Sequence, residues 1–357
     1  MGLPGGSDVT MPDDGERPLL AVEDLRTYFL TASSPVRSVD GVSFELNAGS
    51  TLGVVGESGS GKSVLCRSIM GLLPRQGVDR GGRVLFKGSD TSDLSEAQRR
   101  ALWGKEMSMV FQDPMTSLNP VMIIGKQITE SLRLNLGLSK AESRKTAIDL
   151  LSSVGIPEPA RRFGEFPHQL SGGMRQRVTI AIALACQPSL LFADEPTTAL
   201  DVTVQAQILD LLGAEQQERH MGMILVSHDL GVVAGRTDEV AVMYAGKIVE
   251  KAPTTRLFSA MRMPYTEALF NSMPRLEHES HRRLTAIKGR PPSLANLPGG
   301  CSFAPRCPYV QERCLEEEPQ LKTDEKYPKH SFACWYPVDG PKSAGAVSGA
   351  AAEAVGA

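Results

Sequence analysis

Hydrophobic positions along this chain follow two rhythms. Apolar runs, "TLGVVG" (51–56), "MSMVF" (107–111), "SLLFAD" (189–194) and "MILVSH" (223–228), are each closed by glycine or polar punctuation. Short apolar runs with such punctuation predict strands buried on both faces. "VAVMYAGKIVE" (240–250) predicts a hairpin turning at Ala245-Gly246. Residues 126–154 carry a helical spacing instead, through Ile128, Leu132, Leu134, Ile148 and Leu151, so a helical insert is expected in an α/β domain. Near 273 the chain turns polar and proline-rich, a linker toward a segment dense in cysteine. Residues 1–17 and 339–357 lack periodicity and are expected to be disordered tails.

Composition changes this picture little. The chain of 357 residues is 41% hydrophobic and 22% charged, with formal net charge −3. Its length allows two or three domains, and its charge argues against a nucleic-acid partner held by bulk electrostatics. The longest apolar run, "VTIAIALAC" (178–186), is about half of what a membrane span needs. No secretory signal opens the chain, so the cytoplasm is the expected compartment and the six cysteines are expected as thiols or metal ligands.

The chemistry begins at "GESGSGKS" (56–63), which fits G-x-x-x-x-G-K-[ST] between an apolar strand and the helical pattern "SVLCRSIMGLL". In such a loop Gly56, Glu57, Ser58, Gly59, Ser60 and Gly61 turn backbone N–H groups onto phosphate oxygens, and the helix start adds its dipole. Lys62 places a point charge on the β- and γ-phosphates of ATP, and the Ser63 hydroxyl suits Mg²⁺. The strand "LLFADEP" delivers Asp194, suited to Mg²⁺, and Glu195, suited to act as general base on the attacking water. His228 and Gln112 end two further strands. The first is read as a γ-phosphate sensor, the second as a catalytic and Mg²⁺-contacting group. "LSGGMRQR" (170–177) supplies a second glycine-rich helix start at Ser171, Gly172 and Gly173. Two anion-binding helix ends with one lysine-bearing loop predict a dimer, each nucleotide lying between the loop of one chain and the "SGG" end of the other.

The order of these motifs, with "TALD" (198–201) between the acidic strand and His228, resembles the nucleotide-binding subunit of ABC transporters over about residues 20–270. The resemblance implies a P-loop NTPase fold of ABC type, with a RecA-like core, an antiparallel β subdomain and a helical signature subdomain at about 113–176. It implies that Asp201 reaches across the dimer, and that an aromatic residue, Phe29 or Tyr28 with Phe29 favoured, stacks on adenine. "FQDPMTSLNP", "MYAGKIVE" and "MPYTEALFNSMPRL" are similar to the oligopeptide/dipeptide importer ATPases, whose relatives also serve nickel uptake; Met263 stands where that subfamily commonly has histidine. Implied partners are two membrane-spanning permease subunits, a second, related ATPase subunit and an extracytoplasmic substrate-binding protein, with the chain peripheral on the cytoplasmic membrane face. The substrate implied is peptide, with nickel or another small solute as the alternative. A soluble ABC-type ATPase of translation or DNA repair usually carries two cassettes or a long coiled coil, and neither is visible here.

The ATPase domain is thus expected at 18–272 and an extension at 273–338. The extension carries Cys301, Cys307, Cys314 and Cys334, spaced C-x5-C-x6-C-x19-C. Four thiolates suit a [4Fe–4S] cluster or a structural Zn²⁺, or the thiols pack a small lobe unmetallated. Zinc sites usually pair cysteines more closely, and subfamily resemblance adds to the cluster reading. Cys66 and Cys186 sit in helical apolar patterns and are expected in the core.

Overall fold

The computed structural model describes residues 17–113, 117–198, 200–273 and 287–339. The expected tails, apart from Arg17 and Asp339, lie outside the described residues, as does 274–286 of the linker.

All four apolar runs form strands: β3 (Thr51–Val55), β6 (Met107–Val110), β7 (Leu190–Asp194) and β8 (Gly222–Ser227). Every residue in them is buried, which is why they read as unbroken rather than alternating. They pair in parallel, β3 with β8, β8 with β7 and β7 with β6. The hairpin β9 (Glu239–Tyr244) and β10 (Lys247–Pro253) turns where expected, with φ of 49° at Ala245 and 84° at Gly246. Positive φ at both positions matches the twist of a two-residue hairpin. β9 pairs in parallel with β3, so the core sheet continues past the phosphate-loop strand.

A second sheet is antiparallel and shares an apolar cluster with one face of the core sheet. It contains β1 (Leu20–Phe29), β2 (Val36–Leu46), β4 (Val78–Phe86) and β5 (Ser89–Asp90), in the order β2-β1-β4-β5. Between the sheets lies helix α1 (Lys62–Ile69), which ends at Met70 and Gly71 (φ 68°), earlier than the apolar pattern suggests. Cys66 is fully buried there, and Cys186 is buried against the helical insert, as expected of core residues.

The insert consists of α2 (Ile124–Leu136) and α3 (Lys140–Ser153). Gly137 (φ 68°) stops the first helix, and a Ser139/Glu142 capping box starts the second. Ile128, Leu132 and Leu151 are fully buried, but Leu134 is 77% exposed. Two residues beyond Leu132 is about 200° around a helix, so Leu134 faces away from the stripe the other residues form.

Residues 287–339 do not stand apart from the core. β11 (Lys322–Asp324) and β12 (Tyr327–Phe332) join the same eight-stranded sheet beyond β10, giving the order β11-β12-β10-β9-β3-β8-β7-β6. The joint is made by Glu250, 0% exposed. Its side chain accepts from Arg262 N, from Met263 N at 3.1 Å and from His330 Nε2 at 2.8 Å. Glu250→Ala would orphan these three buried donors, and such losses cost about 3 kcal/mol or more. Chemical denaturation of the full chain is expected to show that loss, with Glu250→Gln milder because it keeps one acceptor.

Candidate functional site

Parallel pairing brings the C-terminal ends of β3, β7 and β8 to one edge. The loop that leaves β3 there threads between backbone groups. A Cβ at Gly56 would lie 2.2 Å from the Met243 carbonyl oxygen, and one at Gly61, where φ is 104°, 2.1 Å from that of Ser38. Only glycine fits either position. Gly61 is the N-cap of α1 and offers no side chain to its first turn, which leaves those N–H groups open to an anion.

Lys62, 4% exposed, donates to the carbonyls of Gly56 at 2.7 Å and Glu57 at 3.0 Å, and its ammonium lies 3.9 Å from Glu195 Oε1. Burial pulls this ammonium below its ordinary range, and Glu195 and then Asp194 oppose the shift. Ser63 Oγ donates to Asp194 Oδ1 at 2.9 Å. Asp194 is fully buried, its Oδ2 has no hydrogen-bond partner, and burial pushes its carboxyl above the usual carboxylate range. A buried, orphaned carboxylate oxygen beside a serine hydroxyl is a donor set that fits Mg²⁺.

Glu195 follows with φ 45°, a left-handed conformation a glutamate adopts only under constraint. Its N–H donates to Val226 O at 3.1 Å, fixing it to the end of β8. Its Oε2 is the meeting point of three groups: Gln112 Nε2 at 3.1 Å, Thr198 Oγ1 at 3.1 Å and His228 Nδ1 at 3.3 Å. Lys62, Ser63, Asp194, Glu195, Gln112 and His228, read separately from sequence, are therefore one cluster. Thr198 had no signal of its own beyond its place in "TTALD".

The second glycine-rich helix start belongs to a different group. Ser171 caps α4 (Gly172–Leu184) by accepting from Met174 N at 3.3 Å. A Cβ at Gly173 would come within 2.8 Å of Val204, and one at Gly172 within 3.6 Å of Leu200. Asp201 caps α5 (Val202–Arg219), accepting from Val204 N at 2.9 Å. Ser171 and Asp201 thus each cap their own helix, and Gly172 and Gly173 lie against Leu200 and Val204 rather than against the 56–63 loop.

Upstream, Tyr28 donates to Asp40 at 2.5 Å, and burial with this bond pushes its phenol up to about 12. Thr27, on the opposite face of β1, meets Ser68 of α1 at 2.8 Å. Strand alternation puts Phe29 on the face of Thr27, toward the phosphate-loop helix, and Tyr28 on the other.

The four cysteines of the extension line one cavity, with Phe303 and Trp335 beside them. Burial pushes the thiols of Cys301, Cys307 (to about 11) and Cys334 (to about 12) up, and the neighbouring cysteines push Cys334 further. The donors are right in kind for a soft cation or an iron–sulfur cluster. Among the described residues, however, no group of three or more His, Cys, Asp or Glu side chains stands close enough to hold a metal ion. Nothing in the cysteine spacing marks Arg306, yet it crosses from this segment to Glu57 with bonds of 2.6 and 2.9 Å.

The family profile described as "ABC transporter" matches residues 39–198, and that described as "Oligopeptide/dipeptide transporter, C-terminal region" matches residues 249–314. The dipeptide transport ATP-binding protein DppD of Escherichia coli is 47% identical over 323 residues, 90% of this chain and 97% of that protein. The oligopeptide transport ATP-binding protein OppD of Bacillus subtilis is 52% identical over 304 residues, 85% of each chain. Among solved structures, the ATP-binding cassette MJ0796, a dimer in a post-hydrolysis state bound to ADP and Pi, matches with a TM-score of 0.60. Its identity is 26%, and the match covers 66% of this chain and 98% of that one. With the cassette and the C-terminal region matched in order and the likeness running along nearly the whole length of such proteins, this chain belongs to the ATP-binding subunits of the oligopeptide/dipeptide branch of ABC transporters.

Proposed function

We propose that this chain is the ATP-hydrolysing motor of a membrane importer for dipeptides and oligopeptides. The observation that carries the reading is the convergence of Lys62, Ser63, Asp194 and Glu195 at one sheet edge, with three donors gathered on one oxygen of Glu195. The 56–61 loop wraps the phosphates of ATP with the backbone N–H groups left open in it, those of Glu57 and Ser60 being taken by Tyr265 and by the loop itself, and Lys62 adds charge to the β- and γ-phosphates. Phe29, on the face of the phosphate-loop helix, stacks on adenine. Ser63, Asp194 and Gln112 hold Mg²⁺, which when bound neutralises charge on the β- and γ-phosphates. Glu195, oriented by Gln112, Thr198 and His228, takes the proton of the attacking water, and His228 reads the γ-phosphate.

The Ser171–Gly173 helix end and Asp201 serve the nucleotide of a partner chain, so two ATP molecules close a head-to-tail dimer. ATP binds the closed form better and hydrolysis removes that preference, which is the whole of the mechanical cycle. Among the described residues no helix is long and apolar enough to cross a membrane. As in the family, two permease subunits supply the pore, a second, related ATPase subunit completes the dimer, and an extracytoplasmic binding protein delivers peptide. The chain works at the cytoplasmic face of the membrane. The four cysteines match a [4Fe–4S] cluster in kind and number and line one cavity, but as placed they do not stand at metal-holding distance, so a structural cluster would require the thiols to draw together around that cavity.

Glu195→Gln is expected to keep ATP affinity and lower hydrolysis by about 10²- to 10⁴-fold. Unchanged turnover, measured as phosphate release, would remove Glu195 from its role. Anaerobically purified protein is expected to carry about four irons per chain with broad absorption near roughly 400 nm. One zinc without colour would make the site a zinc staple, and no metal would leave the thiols as packing.

A further inference from the structure

We infer that Arg306 is a positioning residue for the phosphate loop: it holds the loop through Glu57 and makes the cysteine-bearing extension part of the ATP site. The inference rests on reading residues 56–63 as that loop. The Arg306 side chain is 3% exposed and every nitrogen is used. Nε donates to Lys288 O at 3.0 Å, Nη1 to Glu57 Oε2 at 2.6 Å and Tyr244 Oη at 3.3 Å, and Nη2 to Glu57 Oε1 at 2.9 Å. A buried guanidinium is costly unless paired and fully hydrogen-bonded, so this geometry is tightly determined. The backbone of Glu57 is held as well, its N–H donating to Tyr265 Oη at 2.8 Å. Tyr265, fully buried, packs against Tyr244 at 4.5 Å and Phe303 at 5.3 Å between ring centroids. Phe303 precedes and Arg306 ends one helical turn of the extension, Ala304–Arg306, between Cys301 and Cys307. Pro291 and Pro292 close a cleft along Glu57–Ser60 from another side.

A loop of glycine and serine would otherwise lose conformational freedom when it wraps a triphosphate. Holding it beforehand through both atoms of one carboxylate removes part of that cost. The pair also neutralises a carboxylate at the entrance to a polyanion site.

The test is ATP affinity of the full chain, titrated in EDTA so that no turnover occurs, beside steady-state hydrolysis with Mg²⁺. Arg306→Gln is expected to weaken ATP binding about tenfold, equivalent to about 1.4 kcal/mol. Turnover at saturating ATP stays within about twofold, so the change falls on KM and not on kcat. Arg306→Lys recovers part of the loss, since one ammonium cannot span both carboxylate oxygens. Glu57→Ala weakens binding to a similar extent, and the double variant is no worse than either single one. Should Arg306→Gln fail to fold, Glu57→Ala carries the test, because Lys288 and Tyr244 still hold Arg306. Unchanged affinity in Glu57→Ala, or fully additive losses in the double variant, overturns the inference. Lys62→Ala separates the two readings. If it abolishes binding while Arg306→Gln does not weaken it, only the inference falls; if Lys62→Ala binds like the parent, the loop reading falls and the inference with it.

Discussion

The path of residues 56–61 is the constraint on which the rest of the site depends. Two carbonyl oxygens, of Met243 and Ser38, stand where side chains at Gly56 and Gly61 would be. The loop therefore has one narrow route from the end of β3 to the start of α1, and that route fixes where Lys62 and Ser63 emerge. Met243 lies on β9 and Ser38 on β2, so the core sheet and the antiparallel sheet define the phosphate loop together. This gives the second sheet a physical reason to be where it is.

The acids answer to the same geometry. Burial acts on Lys62 and Asp194 in opposite directions, lowering the first and raising the second, and each thereby disfavours its charged form. The cluster is held against that tendency by close pairing, Ser63 on Asp194 and Lys62 beside Glu195. An incoming triphosphate with its metal ion would complete the balance, which is what a site built for binding charge looks like when its own charges are only partly compensated. Glu195 adds backbone strain to this, and strain held by three side-chain partners and one backbone bond is orientation stored in the fold.

Much of this was legible from the chain alone. The four buried strands, the hairpin at Ala245-Gly246 and the helical insert follow from period and punctuation, because burial on both faces leaves an unbroken apolar run. Residues near a motif were found by their spacing. Residues that act on it from afar were not. Arg306 lies 249 positions from Glu57, and no local pattern foretells a pairing across that distance. Glu250 and His330 look like surface groups of a strand and a polar tail, yet both are fully buried at the joint that carries the sheet into the extension. Leu134 failed for the opposite reason, since counting apolar residues overlooked the turn of the helix between it and Leu132. The linker-like composition around 291–294 likewise hid a segment that runs along the phosphate loop.

An extension wired into the loop implies that the ATP site is only as ordered as the cysteine-bearing segment behind it. Amide hydrogen exchange of residues 56–63 in the full chain without nucleotide, compared between the parent and Arg306→Gln, tests this most directly. Faster exchange confined to the loop and its first helical turn, with β7 and β8 unchanged, is the predicted result. Equal protection of the loop in both proteins would contradict it.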